Sequence, residues 1–415
     1  MRERSTGRST GGTTGKSTGK TDVIVIGGGY AGVLAANRLT RRDDVAVTLI
    51  NPRPTFVERI RLHQLVAGTD DAVVEYRDIL AGDVRLVVDT VTRINAPGRE
   101  VGLAAGGTLG YDHLIYAVGS GSAEPRVPGA AEFAHPIAGL EEAERLRAAL
   151  DATPATAPVT VVGAGPTGIE TAAELAEGGR AVTLVCGRVL GPYLHPRVRR
   201  SVTKRLVTLG VTVIEGPGAT VTEVTHEAVR LDDGRELPSG VTVWTVGFGV
   251  PDLAARSGLS TDTLGRLLTD ETLTSVDDPR IVAAGDSAAP SDLPFRMSCQ
   301  AAVQLGPQAA DTVVSRIAGE HPEPLGVAFA GQCISLGRGV GVFQFARRDD
   351  TANRFHLGGR AGAKLKEFIC GHTVKQLADE AAEPGSRARR FTDAGRRRLL
   401  RAGEGGTPAT AERAV

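Results

Sequence analysis

The apolar positions fall into a repeated pattern. Val23-Ile24-Val25-Ile26 is a short β-branched run, followed by a glycine cluster. A helically spaced stretch then runs from Ala31 to about Arg41, and a second apolar run covers Val45–Ile50. A brief apolar run bounded by turn residues suits a strand buried on both faces. The same order returns about 136 residues later: Val159-Thr160-Val161-Val162, glycines over Gly163–Gly168, a helical stretch to about Gly178, then Ala181–Val185. Two such units predict an α/β chain with two parallel sheets.

Beyond them, Val211–Ile214, Val221–Leu231, Val241–Val246 and Ile281–Ala284 read as strands, and residues 300–317 as a helix. Leu325–Leu377 reads as strand followed by helix. The ends differ in character. Residues 1–20 are rich in Gly, Ser and Thr, with five basic residues and one acid, and are expected to be disordered. Gly15-Lys16-Ser17 and Gly19-Lys20-Thr21 resemble P-loop endings, but the glycine required earlier is Thr10 or Thr14, so triphosphate binding is rejected. Residues 383–415 are basic and are also expected to be disordered.

Composition adds limits. Forty-eight basic residues balance forty-eight acidic ones, which speaks against a nucleic-acid partner. Fifty-three glycines, about 13% of the chain, follow no Gly-X-Y period and concentrate attention on the turns. The cysteines Cys186, Cys299, Cys333 and Cys370 stand at least 34 residues apart, with no CxxC pair or zinc spacing, so no metal site is expected. A reducing, cytoplasmic setting fits. The longest uncharged stretches are too short to span a bilayer.

The chemistry lies in the glycines. In Gly27-x-Gly29-x-x-Gly32, the first glycine permits a tight turn and the second lets a pyrophosphate approach the backbone. The third lets helix pack on strand, and the phosphate charge sits at the helix N-terminus. Asn51 stands at the end of the following strand, where a ribose-binding acid is usual. Its amide can accept from a ribose hydroxyl, without charge assistance. Gly163-x-Gly165-x-x-Gly168 repeats the fingerprint, followed by Glu170, and its second strand ends at Val185-Cys186-Gly187-Arg188. An arginine there suits the 2′-phosphate of NADPH. Two dinucleotide sites in one chain suggest a held flavin and a nicotinamide brought to it.

The sequence resembles the two-dinucleotide flavoproteins that include the pyridine nucleotide–disulfide oxidoreductases, over about residues 21–380. The resemblance rests on GGGYAG, Tyr111-Asp112-His113-Leu114-Ile115-Tyr116-Ala117-Val118-Gly119-Ser120, GAGPTGIE, WTVG and Ala283-Ala284-Gly285-Asp286. It implies two Rossmann-like domains, the second inserted in the first, plus a small C-terminal α+β domain. Residues 21–125 and 252–322 would bind FAD, residues 126–251 would bind NAD(P)H, and residues 323–382 would form the C-terminal domain. It further implies that Gly119 lies at the FAD site and that Asp286 contacts the flavin's ribityl chain. The disulfide branch carries a cysteine pair after the first unit. Asn51–Gln64 contains none, so disulfide reductase activity is not expected.

Cys299-Gln300-Ala301-Ala302-Val303-Gln304 is similar to the Ala-Gln-x-Ala-x-Gln motif of type II NADH:quinone oxidoreductases, with Cys299 in place of the alanine. Gln300 and Gln304, four apart, would share a helix face. The resemblance implies that this face contacts a quinone and that Glu170 sits where nicotinamide meets flavin. His63, beside Gln64, is a candidate proton relay if its pKa is near neutral. The expected activity is electron transfer from NAD(P)H through FAD to a quinone or similar acceptor. Alternatives are a soluble reductase of a small iron–sulfur or haem protein, and a flavin-bound redox sensor. Seven arginines between Arg387 and Arg401 suggest weak peripheral contact with an anionic membrane. A homodimer is left open.

Overall fold

The computed structural model describes residues 19–386 and 394–403. The expectations for residues 1–18, 387–393 and 404–415 lie outside the described residues. The first β-branched run forms the strand Thr21–Ile26, which pairs in parallel with Val45–Asn51 on one side and His113–Tyr116 on the other. Arg85–Val88 and Ile281–Ala283 complete a five-stranded sheet at its two edges. The second sheet has the order Ala134–Pro136, Val241–Trp244, Val159–Val162, Val182–Val185, Thr212–Ile214, again all parallel. All its strands precede Ile281 in the chain, so the second sheet is interposed before the first is finished. The central strands Val159–Val162 and Val241–Trp244 are buried throughout, as strands covered on both faces must be.

The residues read as one β-rich segment, Val221–Leu231, divide at a turn into Val221–Val224 and Ala228–Leu231, which pair with Glu236–Pro238 in an antiparallel meander. After the first sheet comes the long helix Cys299–Ile317, which lies against the first fingerprint helix, Tyr30–Leu39. Gly306 makes that approach possible, because a Cβ there would sit 2.3 Å from the Ala31 carbonyl oxygen. A three-stranded antiparallel sheet (Gly331–Ser335, Gly341–Ala346, Ala352–Gly358) and the helix Gly359–Ala382 follow. This helix reaches back to the first fingerprint helix, where a buried Arg38 pairs with Asp311 at 2.8 Å and Glu380 at 3.2 Å. Part of the expected featureless tail is ordered. Ala394–Gly403 is a helix, and Arg396 pairs with Glu271 at 2.8 Å and donates to the carbonyls of Leu293 and Pro290.

Candidate functional site

Both glycine fingerprints form turns that only glycine can make. Gly27 has φ +101°, and a Cβ there would lie 2.3 Å from the Ala117 carbonyl oxygen. A Cβ on Gly32 would lie 1.8 Å from the carbonyl oxygen of Gly27. A Cβ on Gly29 would meet nothing within 4 Å, and the same holds at Gly119. The first and third glycines therefore serve helix–strand packing, while the second faces open space. The second fingerprint repeats the division. Gly163 and Gly168 are each closed by neighbours at 2.2 Å, and Gly165 is open. Gly29 and Gly165 are also the N-caps of their helices and provide no side chain to bond the first-turn N–H groups. Each turn thus presents a positive helix end to open space, which suits a pyrophosphate. FAD in the first cradle and NAD(P)H in the second fit these shapes.

Asn51 is placed where the sequence predicted, but its side chain ties the turn together. Its Oδ1 accepts from the Gly28 N–H at 3.0 Å and its Nδ2 donates to the Arg53 carbonyl at 2.9 Å. One amide N–H is left for a ribose. Tyr76 supports the same turn by donating its hydroxyl to the Gly28 carbonyl at 2.8 Å. Arg188 is exposed in the turn after Val182–Val185. Asp286 lies at the end of Ile281–Ala283 and accepts from the Ser120 hydroxyl at 2.7 Å and the Ser298 N–H at 3.0 Å. Arg59 stands 3.8 Å from the same carboxylate and donates to the Ser120 hydroxyl at 3.0 Å. Asp286 thereby links the Gly119 turn to the start of the helix Cys299–Ile317, where Ser298 is the N-cap.

Glu170 is buried on the second fingerprint helix, Pro166–Glu177. It pairs with Lys366 of the C-terminal helix and accepts from the Ser335 N–H at 2.8 Å. Burial works against the charge on Lys366, but the Glu170 carboxylate together with the neighbouring Cys333 and Cys370 outweighs it and pushes the lysine pKa up. His63 lies 3.7 Å from Glu170, and its Nε2 is buried without a partner. The proton-relay expectation required a near-neutral histidine. Burial instead lowers the His63 pKa to about 4, against the raising influence of Glu170, so the ring is neutral at pH 7. Gln64 and Arg61 from the same segment bond Glu367, one residue beyond Lys366, at 3.4 and 3.1 Å.

The two glutamines part company. Gln304 accepts from the Ala328 N–H at 3.0 Å and donates to the carbonyls of Ala328 at 3.0 Å and Gln300 at 2.8 Å. Its amide holds the connection entering the C-terminal sheet, so it is not free to donate to a quinone. Gln300 keeps an Oε1 that is buried without a partner. Tyr30, in the first fingerprint, likewise buries an unpartnered hydroxyl, and burial raises its pKa well above the ordinary value. Orphaned buried polar atoms are costly, and the unpartnered Tyr30 hydroxyl on the first fingerprint helix fits a bound polar group.

Sequence reading assigned no role to Lys366 or Ser335, which stand 196 and 165 positions from Glu170. It also separated the cysteines. Cys333 lies two residues before Ser335 on its strand, and Cys370 lies one turn after Lys366 on its helix. No spacing in the sequence marks either arrangement.

The profile of the pyridine nucleotide-disulphide oxidoreductase family matches residues 21–311. An NADH dehydrogenase-like protein of Mycobacterium tuberculosis is 31% identical over 353 residues, covering 78% of this chain and 87% of the relative. The type II NADH:quinone oxidoreductase Ndh of the same organism is 28% identical over 345 residues, 72% of this chain and 73% of that one. Among solved structures, NDH2 from Plasmodium falciparum with NADH superposes with TM-score 0.72 at 16% identity, covering 89% of this chain and 99% of that one. The sulfide:quinone oxidoreductase of Aquifex aeolicus gives TM-score 0.75 at 19% identity, covering 88% and 93%. The last two likenesses establish the fold. With its paired fingerprints on two parallel sheets, the chain belongs to the pyridine nucleotide-disulphide oxidoreductase family and is an FAD- and NAD(P)H-using oxidoreductase.

Proposed function

We propose that the protein is an NAD(P)H dehydrogenase that passes electrons through FAD to a quinone. The observation that carries this reading is the pair of open pyrophosphate cradles at Gly29 and Gly165, on separate parallel sheets of one chain. Residues 21–125 and 252–322 hold FAD through Gly27, Gly29, Gly32, Asn51, Gly119 and Asp286. Residues 126–251 hold the nicotinamide through Gly163, Gly165 and Gly168, with Arg188 beside the ribose. Bound FAD would supply the hydride-accepting and electron-passing chemistry, and the protein supplies position and electrostatics.

Glu170 is the carboxylate beside the nicotinamide, held in place by Lys366 and the Ser335 N–H. Gln300 is the residue that meets the acceptor, and Gln304 positions the helix that carries it. Relatives named as a type II NADH:quinone oxidoreductase and a demethylphylloquinone reductase support the acceptor class. Contact with anionic lipid is assigned to the C-terminal sheet and helix. Phe355 and Phe368 are 61% and 66% exposed there, accompanied by exposed Arg354, Arg360 and Lys364. A Phe355→Ser/Phe368→Ser variant is expected to lose cosedimentation with phosphatidylglycerol vesicles; unchanged binding overturns that assignment.

The function is tested on the full-length protein by anaerobic spectroscopy. Bleaching of the flavin by NADH or NADPH, then rapid reoxidation by a short-chain quinone, is expected. Bleaching without reoxidation by quinone points to a protein acceptor or a sensor. A colourless protein that cannot be loaded with FAD refutes the reading at its first fingerprint.

A further inference from the structure

The chain crosses between the two nucleotide-binding units at Gly121–Ser122 and again at Phe248–Gly249, and the two crossings pair as a narrow antiparallel ribbon. A further joint follows the strand Thr55–Val57. Phe56 is buried in the core of the first unit, whereas Leu62, Leu65 and Val66 are buried with Ile137, Leu146 and Ile169 of the second. Arg59 stands between them, at the start of the single turn Arg59–Arg61. Its guanidinium meets both units. Nε donates to the Ala138 carbonyl at 3.0 Å, and Nη1 donates to the Ser120 hydroxyl at 3.0 Å. The same Nη1 is 3.8 Å from the Asp286 carboxylate, which holds Ser120 by a 2.7 Å hydrogen bond. Ala138 leads from Ala134–Pro136, an edge strand of the second sheet, into the helix Leu140–Ala152. The first turn of that helix is gripped from the first unit twice more. Arg53 pairs with Glu141, and the Ser122 hydroxyl donates to Glu142 at 2.9 Å. Of these grips, that of Arg59 also reaches Asp286.

We propose that Arg59 is a positioning residue that sets the second nucleotide-binding unit against the flavin site, so that its loss slows hydride delivery without weakening NAD(P)H binding. A planar guanidinium presents its donors in a fixed fork, so one side chain can hold two acceptors at a set angle. The acceptors here are a backbone carbonyl of one unit and a hydroxyl–carboxylate pair of the other. Arg59 exchanges no proton and no electron. It fixes the separation across which the hydride passes, where a displacement of about 1 Å can cost on the order of a hundredfold in rate. The arginine side chain is 30% exposed, so its value lies in geometry more than in stability. The role rests on the FAD and NAD(P)H reading of the two cradles; the joint itself does not.

The test compares Arg59→Met with wild type in the full-length, flavin-loaded protein. Anaerobic stopped-flow with NADH and with NADPH is expected to show a limiting rate of flavin bleaching at least tenfold lower. The nicotinamide concentration giving half that rate should stay within threefold of wild type, and so should reoxidation by a short-chain quinone. Ser120→Ala, which removes the hydroxyl from the other side, should slow bleaching in the same way. Arg59→Lys cannot span Ala138 and Ser120 together and should regain less than threefold of the lost rate. Hydrogen exchange read by mass spectrometry reports on the joint without any turnover. The Glu58 and Arg61 amides, bonded to the Ala72 and Glu58 carbonyls at 2.8 and 2.7 Å, should exchange at least tenfold faster in Arg59→Met. Bleaching within threefold of wild type overturns the proposal, and so does unchanged exchange at those amides. A half-saturating concentration that rises with the loss of rate makes Arg59 a nicotinamide ligand and overturns it as well. Full recovery by lysine overturns it too, because charge beside Asp286 would then suffice without the span. Wild type that neither nicotinamide bleaches refutes the functional reading and this role with it, while faster exchange in Arg59→Met would still establish the joint.

Discussion

Replacing Lys366 by methionine tests whether the Glu170–Lys366 pair locks the C-terminal helix onto the nicotinamide-binding sheet. The two side chains are 6% and 8% exposed, so solvent screening is slight. Removing one partner of such a buried pair costs about 3–5 kcal/mol, because the other charge is left uncompensated. Glu170 retains the Ser335 N–H, which accepts part of that burden and places the cost near ~3 kcal/mol. The assay is native-state hydrogen exchange of the helix Gly359–Ala382 in the holoprotein. A loss of ~3 kcal/mol corresponds to roughly a hundredfold faster exchange of the amides that open with this helix. Methionine keeps the volume, and glutamine still accepts from Ser335, so Glu170→Gln/Lys366→Met should recover most of the protection. Exchange within threefold of wild type in Lys366→Met would refute the lock. A double variant as unprotected as the single one would do the same, since the loss would then come from packing and not from the stranded charge.

Further outcomes follow from other contacts. His63 has a folded pKa of about 4, below its ordinary 6.5, so unfolded chains take up a proton as pH falls through 6.5 while the native state does not. Its contribution is full above about pH 6.5 and declines toward pH 4 by about 3 kcal/mol; His63→Asn should flatten that part of the urea midpoint against pH. Gly165→Ala should fold normally, keep FAD and raise the NAD(P)H KM at least about tenfold, equal to ~1.4 kcal/mol. Gly168→Ala, whose Cβ would lie 2.2 Å from the Gly163 carbonyl oxygen, should instead lower the melting temperature. Gln304→Ala should cost about 1–3 kcal/mol of stability by orphaning the Ala328 backbone, whereas Gln300→Ala should raise the quinone KM without lowering the melting temperature. Arg188→Ala should raise the NADPH KM about two- to fivefold and leave the NADH KM unchanged, in keeping with one exposed charge contact; an unchanged NADPH KM retires Arg188 as the 2′-phosphate ligand.

Local patterns carried the frame of this protein. The runs Val23–Ile26 and Val159–Val162 became central parallel strands because a β-branched run between turns suits burial on both faces. The fingerprints were equally legible: each glycine's duty depends on backbone conformation and on neighbours within six residues or on the adjacent strand. The helix Cys299–Ile317 and its two glutamines could be read from spacing as well. What those side chains do depended on groups brought from far along the chain. Gln304 is claimed by Ala328, and Asn51 is claimed by the turn it was expected to flank. His63 lost its near-neutral proton through burial, which no sequence window measures. Lys366 reached Glu170 across 196 residues. Periodicity and turn chemistry are short-range properties, so the chain order revealed them. Charge pairing and desolvation exist only once distant segments share one interior, and the tertiary structure alone decided them.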